Sequence, residues 1–161
     1  MKRVVIIGGG FGGLTAAQSL KHSNVEIILI DKTNHHLFQP LLYQVATAAL
    51  SPADIAAPIR GILGRQNNVT VIMGEVNYID RTSKTVILDG KEIYFDYLIV
   101  AVGARHSYFG NNEWEKFAPG LKTLNDALTI REKILLAYEK AEYSNDPYEM
   151  QKYMTFVVLF F

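Results

Sequence analysis

Residues 4–31 read VVIIGGGFGGLTAAQSLKHSNVEIILID, and this stretch decides the fold. The apolar run Val4–Ile7 predicts a strand, and a helical pattern with Leu14, Ala17 and Leu20 follows it after a short turn. A second apolar run then ends in an acidic residue. The turn carries three glycines at GxGxxG spacing: Gly8, Gly10 and Gly13. This order predicts a βαβ unit that binds a dinucleotide.

Each glycine of this turn has a physical task. The first lets the chain turn sharply, the second lets the backbone approach a pyrophosphate, and the third lets the helix pack closely against the strand. The helix N-terminus then presents its amides and the positive end of its dipole to the phosphates. Asp31 ends the second strand, where a carboxylate accepts hydrogen bonds from an adenosine ribose and repels a 2′-phosphate. The pattern predicts FAD or NAD rather than NADP, although the neighbouring Lys32 weakens that exclusion.

Composition predicts one ordinary soluble domain, since 161 residues contain 49% hydrophobic and 20% charged residues. Sixteen basic and sixteen acidic residues cancel, so nothing in the charge balance favours nucleic acid or anionic lipid as a partner. Met1, Lys2 and Arg3 lead straight into the first strand, and no apolar run approaches a membrane span of about 20 residues. We therefore expect the chain to stay in the cytoplasm.

The chain has no cysteine, and this limits its redox chemistry. Many flavoproteins with this type of N-terminus carry a redox-active dithiol shortly after the second strand. Without thiols, disulfide reductases and cysteine-dependent peroxidases are excluded. Direct hydride or electron transfer through a flavin to a small acceptor remains.

The rest of the chain alternates between irregular and regular patterns. Residues 35–64 are interrupted by Pro40, Pro52 and Pro58 and predict two short helical pieces, the second capped by Ser51 and kinked or restarted at Pro58. A period of two then predicts three strands, 69–80, 84–88 and 92–94, joined by tight turns. The apolar run 95–104 predicts a strand buried on both faces of a parallel sheet. Residues 123–126 form a capping box, and residues 127–141, which follow it, predict a long amphipathic helix.

Four segments together resemble one known family. They are VVIIGGGFGGL at 4–14, HHLFQPLLYQVATAALSPADIAAPIR at 35–60, GEVNYID at 74–80 and FDYLIVAVGA at 95–104. Over residues 3–158 the chain resembles the N-terminal part of a type II NADH dehydrogenase, the single-subunit, non-proton-pumping NADH:quinone oxidoreductase. The block at 35–60 is the most specific of the four.

The resemblance implies an α/β fold: an incomplete Rossmann-like FAD-binding domain of the pyridine nucleotide-disulfide oxidoreductase type. It has a parallel sheet and a three-stranded antiparallel β-meander. Residues 1–154 would be the FAD-binding portion and 155–161 the start of a truncated NADH-binding domain. The glycine loop would hold the FAD pyrophosphate. Asp31 and Lys32 would bind the ribose, and the backbone of Val76 would contact the adenine. The positions that the resemblance implies in FAD binding are Gly8, Gly10, Phe11, Gly12, Gly13, Asp31, Lys32, Gln44, Thr47, Val76, Ala101, Val102 and Gly103.

The chemistry that the resemblance implies has two halves: NADH gives a hydride to FAD, and the reduced flavin passes two electrons to a quinone. The parent enzyme would dock on the cytoplasmic face of the membrane, and whether it is a homodimer stays open. A strand at 155–158 should precede a second glycine loop, but Leu159, Phe160 and Phe161 follow instead. We expect a truncated reading frame without an NADH site, poor solubility through the apolar 153–161 segment, and FAD that is lost on dilution.

Other readings of the residues stay open or are set aside. The chain could be an inert nucleotide-binding fragment, or an FAD-dependent oxidoreductase with another acceptor such as a carotenoid or a sulfide; the missing cysteines argue against sulfide. Adjacent histidines on irregular chain, His35 and His36, rarely bind one ion, so no metal site is predicted. Tyr148 and Lys152 resemble the YxxxK pair of short-chain dehydrogenases, but this chain lacks the GxxxGxG pattern of that family. We therefore interpret the two residues as part of a solvated helix face. Trp114 indicates an exposed loop, and the pair 108–109 is a further candidate for covering the flavin.

Overall fold

The computed structural model describes residues 1–159, and this part of the chain divides into two compact units. The first, here called the sheet unit, contains Met1–Leu37 and Ala56–Ala104. The second, here called the helical unit, contains Phe38–Ile55 and residues 105–159 of the described chain.

The sheet unit is built on a parallel sheet formed by β1 (Lys2–Ile7), β2 (Val25–Asp31), β5 (Val69–Met73) and β9 (Tyr97–Val100). Their order in the sheet is β5-β2-β1-β9, and helix α1 (Phe11–Ser19) connects β1 to β2. The predicted βαβ unit is therefore confirmed. Strands β3 (His35–Leu37) and β4 (Ala56–Pro58) pair antiparallel, helix α4 (Ile59–Leu63) follows, and β6 (Val76–Asp80), β7 (Thr85–Leu88) and β8 (Lys91–Tyr94) form the antiparallel β-meander.

The central strands are buried on both faces. Side chains alternate along β1, so that Val4 and Ile6 pack with α1 and α4 while Val5 and Ile7 pack with the meander. Val5 and Ile6 are fully buried. This three-layer packing explains why the first strand is a continuous apolar run instead of an alternating one.

Two strand predictions in the sheet unit were wrong in detail. Residues 69–80 do not form one strand: β5 pairs parallel with β2, whereas β6 pairs antiparallel with β7. The chain changes sheet at Gly74, where an added Cβ would lie 2.6 Å from Leu88 Cδ1. The run 95–104 contributes only Tyr97–Val100, which pairs with β1 at the edge of the described sheet, and Tyr97 and Val100 are more than half exposed. One free edge leaves this strand less buried than a continuous apolar run indicates.

The region between β2 and β5 contains more elements than the two helical pieces predicted. A 3-10 helix at Gln39–Leu41 leads into α2 (Leu42–Ala46), and α3 (Pro52–Ile55) follows. Asp54 Oδ2 accepts hydrogen bonds from Ser51 N at 2.7 Å and Ser51 Oγ at 2.8 Å, which supports the predicted helix start. The predicted restart at Pro58 is confirmed, since α4 begins at the next residue. The pairing of β3 with β4 was missed because each strand has only three residues.

The helical unit is organised around α5 (Leu124–Tyr143), against which α2 and α6 (Pro147–Tyr153) pack. The predicted capping box is present: Thr123 Oγ1 accepts from Asp126 N at 3.1 Å, and Asp126 Oδ2 accepts from Thr123 N at 2.8 Å. Tyr148 and Lys152 lie on the exposed surface of α6, in agreement with their interpretation as a solvated helix face. Trp114 is 45% exposed within a short 3-10 helix, Asn112–Lys116.

The strand predicted at 155–158 is not formed. Residues 155–159 follow α6 without regular structure, and Val157 and Val158 are largely exposed. A β-strand requires a neighbour that satisfies its backbone hydrogen bonds, and within residues 1–159 none is paired with this segment. Residues 160 and 161 lie outside the described residues. Among the residues described, no helix is both long and apolar enough to cross a membrane.

Asp96 joins the start of β1 to the start of β9 and should give the fold an acid-sensitive contact. Its Oδ1 accepts from Lys2 Nζ at 2.8 Å and its Oδ2 from Arg3 N at 2.7 Å. The Lys2 ammonium, and after it the Arg3 amide, holds the pKa of Asp96 below its ordinary value of 3.8. Because the folded-state pKa is the lower one, this contact stabilises the fold above pH 3.8 and is lost as the pH falls through the folded-state pKa.

We therefore expect Asp96→Asn to reduce the free energy of unfolding at neutral pH and to flatten its decline on acidification. The measurement is urea unfolding at a series of values between about pH 2 and pH 6. Asp89→Asn, on the exposed turn between β7 and β8, is the matched control and should keep the slope of the unchanged chain. An unaltered acid slope in Asp96→Asn would contradict the prediction.

Candidate dinucleotide site

The glycine loop lies where the carboxyl ends of β1 and β9 meet. Gly8 N donates to Ile30 O at 2.8 Å, and Ala101 N donates to Ile7 O at 2.8 Å. Gly8 has a φ of +105°, which disfavours a residue with a side chain. A Cβ at Gly8 would also collide with the carbonyl oxygen of Ala101. The sharp turn predicted for the first glycine is present.

The third glycine lets α1 approach the loop closely. A Cβ at Gly13 would collide with the carbonyl oxygen of Gly8 and lie 3.2 Å from Ile6 Cγ2. At Gly10 the space is open: apart from the neighbouring residues in the chain, no heavy atom of the described residues lies within 4 Å of an added Cβ. The loop is therefore closed on its inner side by Gly8 and Gly13 and accessible at Gly10.

The N-terminus of α1 begins beside this open position. Gly10 is the N-cap with φ −72° and ψ −165°, and its carbonyl oxygen accepts from Leu14 N at 3.0 Å. The first turn, Phe-Gly-Gly, contains no acidic residue. The first amides of a helix lie outside its hydrogen-bond ladder and carry the positive end of its dipole. This arrangement suits an anion such as a pyrophosphate.

Asp31 is oriented by the protein itself. Its Oδ2 accepts from Gly9 N at 2.5 Å, and its Oδ1 accepts from Thr33 N and Thr33 Oγ1, both at 2.7 Å. Sequence reasoning assigned Asp31 to a ribose but missed Thr33 and the bond to Gly9. An aspartate at a strand end is the signal for such an Asx-type turn, in which its side chain bonds the backbone two residues on. That Asp31 contacts a ribose stays a prediction. Its carboxylate already binds the glycine loop through Gly9 N.

The other predicted cofactor positions in the sheet unit surround β6 and β9. Lys32 is exposed, and Val76 is half-buried in β6, opposite Leu88. Ala101 is half-buried, Val102 is 68% exposed, and Gly103 has a φ of +72° in the turn that follows β9. Gly12 faces this turn, since a Cβ added to it would lie 3.7 Å from Ala101 Cβ. Their contacts with a cofactor stay predictions.

Gln44 and Thr47 belong to the helical unit, where both are engaged with Tyr43. Gln44 Nε2 donates to Tyr43 OH at 2.9 Å, and Thr47 Oγ1 donates to Tyr43 O at 3.0 Å. Tyr108 is buried and donates from its hydroxyl to Ala118 O at 2.7 Å, while Phe109 is 73% exposed. Their placement beside a flavin ring stays a prediction.

The two adjacent histidines face different partners. His35 Nδ1 lies 3.4 Å from Asn34 Oδ1, whereas His36 Nδ1 lies 3.1 Å from Gly9 O. Over residues 1–159, no group of three or more histidine, cysteine, aspartate or glutamate residues has the geometry of a metal site.

The loop geometry fits a dinucleotide, and comparison with known proteins identifies the family. The sequence profile described as pyridine nucleotide-disulphide oxidoreductase matches residues 2–140. The chain belongs to this family. The pyridine nucleotide-disulphide oxidoreductase fold is confirmed: the structure of NDH2 from Plasmodium falciparum in complex with NADH superposes with a TM-score of 0.81 at 28% identity, covering 94% of this chain and 32% of that one.

Within this family the chain is similar to type II enzymes, as the resemblance implied. It is 56% identical to the type II NADH:quinone oxidoreductase NdhA of Mycobacterium tuberculosis and 51% identical to Ndh of the same organism, over 98% of this chain. The sulfide:quinone oxidoreductase of Aquifex aeolicus matches with a TM-score of 0.79 at 29% identity, covering 86% of this chain and 33% of that one. The chain spans about a third of the length of these relatives, 34% for NdhA and 35% for Ndh. None of these findings favours the inert-fragment reading or another acceptor.

Proposed function

We propose that residues 1–154 form the FAD-binding part of a type II NADH:quinone oxidoreductase. The observation that carries this proposal is the cradle at residues 8–13, where a side chain at Gly8 or Gly13 would collide with backbone while Gly10 stays open. It occurs in a chain that is 56% identical to a type II NADH:quinone oxidoreductase. A flavin is typical of this family, and the adenine dinucleotide form is favoured because the cradle suits a pyrophosphate and Asp31 suits a ribose.

The residues of the chain bind and orient the cofactor in this proposal. The amides at the start of α1 hold the pyrophosphate, Asp31 with Lys32 holds the ribose, and the backbone of Val76 contacts the adenine. Ala101, Val102 and Gly103 border the cofactor after β9, and the segment from Gln44 to Thr47 lies near the isoalloxazine ring. When bound, the flavin would accept a hydride from NADH and pass two electrons to a quinone.

The partners and boundaries of the parent enzyme are part of the same proposal. NADH and a quinone are its substrates, and it associates with the cytoplasmic face of a membrane. Residues 155–161 begin the NADH-binding domain. The relatives NdhA and Ndh are named as NADH:quinone oxidoreductases, which supports the choice of substrates.

FAD binding is the first test. Titration of the purified 161-residue chain with FAD, followed by quenching of flavin fluorescence, should show saturable binding of one FAD per chain that dilution reverses. NADP⁺ should compete weakly, because Asp31 repels a 2′-phosphate. No FAD binding, or equal competition by NADP⁺ and NAD⁺, would contradict the assignment.

The catalytic part of the proposal needs the remainder of a complete enzyme. In a chimera, residues 1–158 of this chain would replace the matching part of M. tuberculosis NdhA, to which the chain is 56% identical. Oxidation of NADH with a soluble quinone at rates within about tenfold of NdhA, about 1.4 kcal/mol in barrier height, would support the proposal. A folded, FAD-loaded chimera that leaves quinone unreduced would overturn it.

A further inference from the structure

Gly9, the central residue of the Gly8-Gly9-Gly10 run, is held at both of its backbone polar groups. Its N–H donates to Asp31 Oδ2 at 2.5 Å, and its carbonyl oxygen lies 3.1 Å from His36 Nδ1. A carbonyl oxygen can only accept, so the proton of the second hydrogen bond must be on His36 Nδ1. Gly9 is itself buried, and an added Cβ there would collide with Ile59 Cδ1. Asp31 therefore holds the Gly8–Gly9 peptide through its N–H, and His36 holds the Gly9–Gly10 peptide through its carbonyl oxygen.

His36 makes a second contact, with Phe11, the residue that follows Gly10. Its ring packs edge-on against Phe11, with centroids 4.9 Å apart and planes at 88°. Phe11 is the first residue of α1, so His36 contacts both the loop and the helix that the loop begins. The ring is half-buried and lies on β3, where His36 is paired with Ala57 of β4. A strand pair outside the βαβ unit therefore supports the loop.

We propose that His36 is a positioning residue of the dinucleotide loop. By donating from Nδ1 to the Gly9 carbonyl and packing against Phe11, it holds the Gly9–Gly10 peptide in the orientation from which α1 presents its amides to a pyrophosphate. The inference rests on the proposed function for the identity of the ligand, FAD. Its effect on the loop itself does not depend on that ligand.

Two substitutions at this position separate the hydrogen bond from the ring contact. His36→Phe keeps an aromatic ring against Phe11 and removes the donor, whereas His36→Asn places an amide nitrogen on Cγ, where Nδ1 is attached. His35→Phe is the matched control, since successive strand residues point to opposite faces and His35 interacts with Asn34. The thermal midpoint of each variant is recorded so that only folded chains are compared.

FAD affinity of the 161-residue chain is the functional readout. His36→Phe should weaken FAD binding about five- to tenfold, the range of one hydrogen bond. His36→Asn should stay within about threefold of the unchanged chain, and His35→Phe should not differ from it. Equal affinities for His36→Phe and His35→Phe would overturn the proposal.

Nuclear magnetic resonance of the chain without FAD gives a readout that is independent of the ligand. We expect ¹⁵N shifts of a protonated Nδ1 in His36, and amide shifts of Gly9 and Gly10 that move in His36→Phe and return in His36→Asn. If the unchanged chain fails to bind FAD, the proposed function fails, and these loop resonances alone decide the role of His36. An Nε2-protonated, Nδ1-unprotonated ring, or unmoved loop resonances in His36→Phe, would overturn it.

Discussion

Replacing Gly13 with alanine is expected to destabilise the sheet unit by about 3 kcal/mol, because the new methyl group would overlap the Gly8 carbonyl oxygen. Both colliding groups are held by backbone structure, since Gly13 lies in α1 and Gly8 N is bonded to Ile30 O. Relief requires α1 to move away from β1, which opens the packing around Leu14 and Ala17. For a chain of this size we expect a fall of about 10 °C in the thermal midpoint, measured by circular dichroism.

The matched control for Gly13→Ala is a substitution at the open position of the same loop. Gly10→Ser adds a side chain where no described atom lies within 4 Å of the Cβ, at a φ of −72° that any residue adopts. Serine is also a favoured N-cap, so the thermal midpoint should be maintained. Because this side chain occupies the side open to the pyrophosphate, FAD affinity should fall at least about tenfold.

The pair of variants therefore separates folding from binding. Gly13→Ala should lose stability, and FAD affinity with it, whereas Gly10→Ser should lose affinity alone. A Gly13→Ala chain as stable as the original would show that α1 does not need its close approach. A Gly10→Ser chain with unchanged FAD affinity would place the pyrophosphate elsewhere.

Asp31→Asn is expected to weaken FAD binding strongly and to loosen the loop. Both carboxylate oxygens of Asp31 accept hydrogen bonds, one from Gly9 N and the other from Thr33 N and Oγ1. An asparagine has one oxygen, so its NH₂ group must face an N–H donor on one side. Losing a hydrogen bond to a charged acceptor typically costs about 1.5–3 kcal/mol, or roughly ten- to 150-fold if the whole loss falls on FAD affinity.

Equilibrium titration with FAD and urea unfolding of the ligand-free chain divide this loss between binding and folding. Asp89→Asn changes the same functional group on an exposed turn with a φ of +50°, which asparagine tolerates, and should alter neither quantity. If Asp31→Asn bound FAD as tightly as Asp89→Asn, neither the ribose contact nor the Gly9 contact of Asp31 would matter for the cofactor.

Local rules were sufficient for the elements that short-range chemistry controls. The glycine spacing and flanking apolar runs predicted β1, α1 and β2, and the capping box at Thr123 predicted the start of α5. Glycine was required at Gly8 and Gly13 for the predicted reasons. Where pairing partners are distant in sequence, prediction was weaker. Strands β3 and β4 were missed, since three-residue strands show no period, and β5 was merged with β6 because one alternating pattern runs through both.

The sequence by itself determined that a glycine turn joins a buried strand to a helix, since those residues carry their own backbone preferences and periodicity. Only the tertiary structure decided which groups hold that turn in place. The turn is contacted by Ala101, which follows β9, by Ile59 of α4, by His36 of β3 and by Asp31 at the end of β2. Contacts between residues tens of positions apart depend on strand order and register, which long-range packing sets and local patterns do not encode.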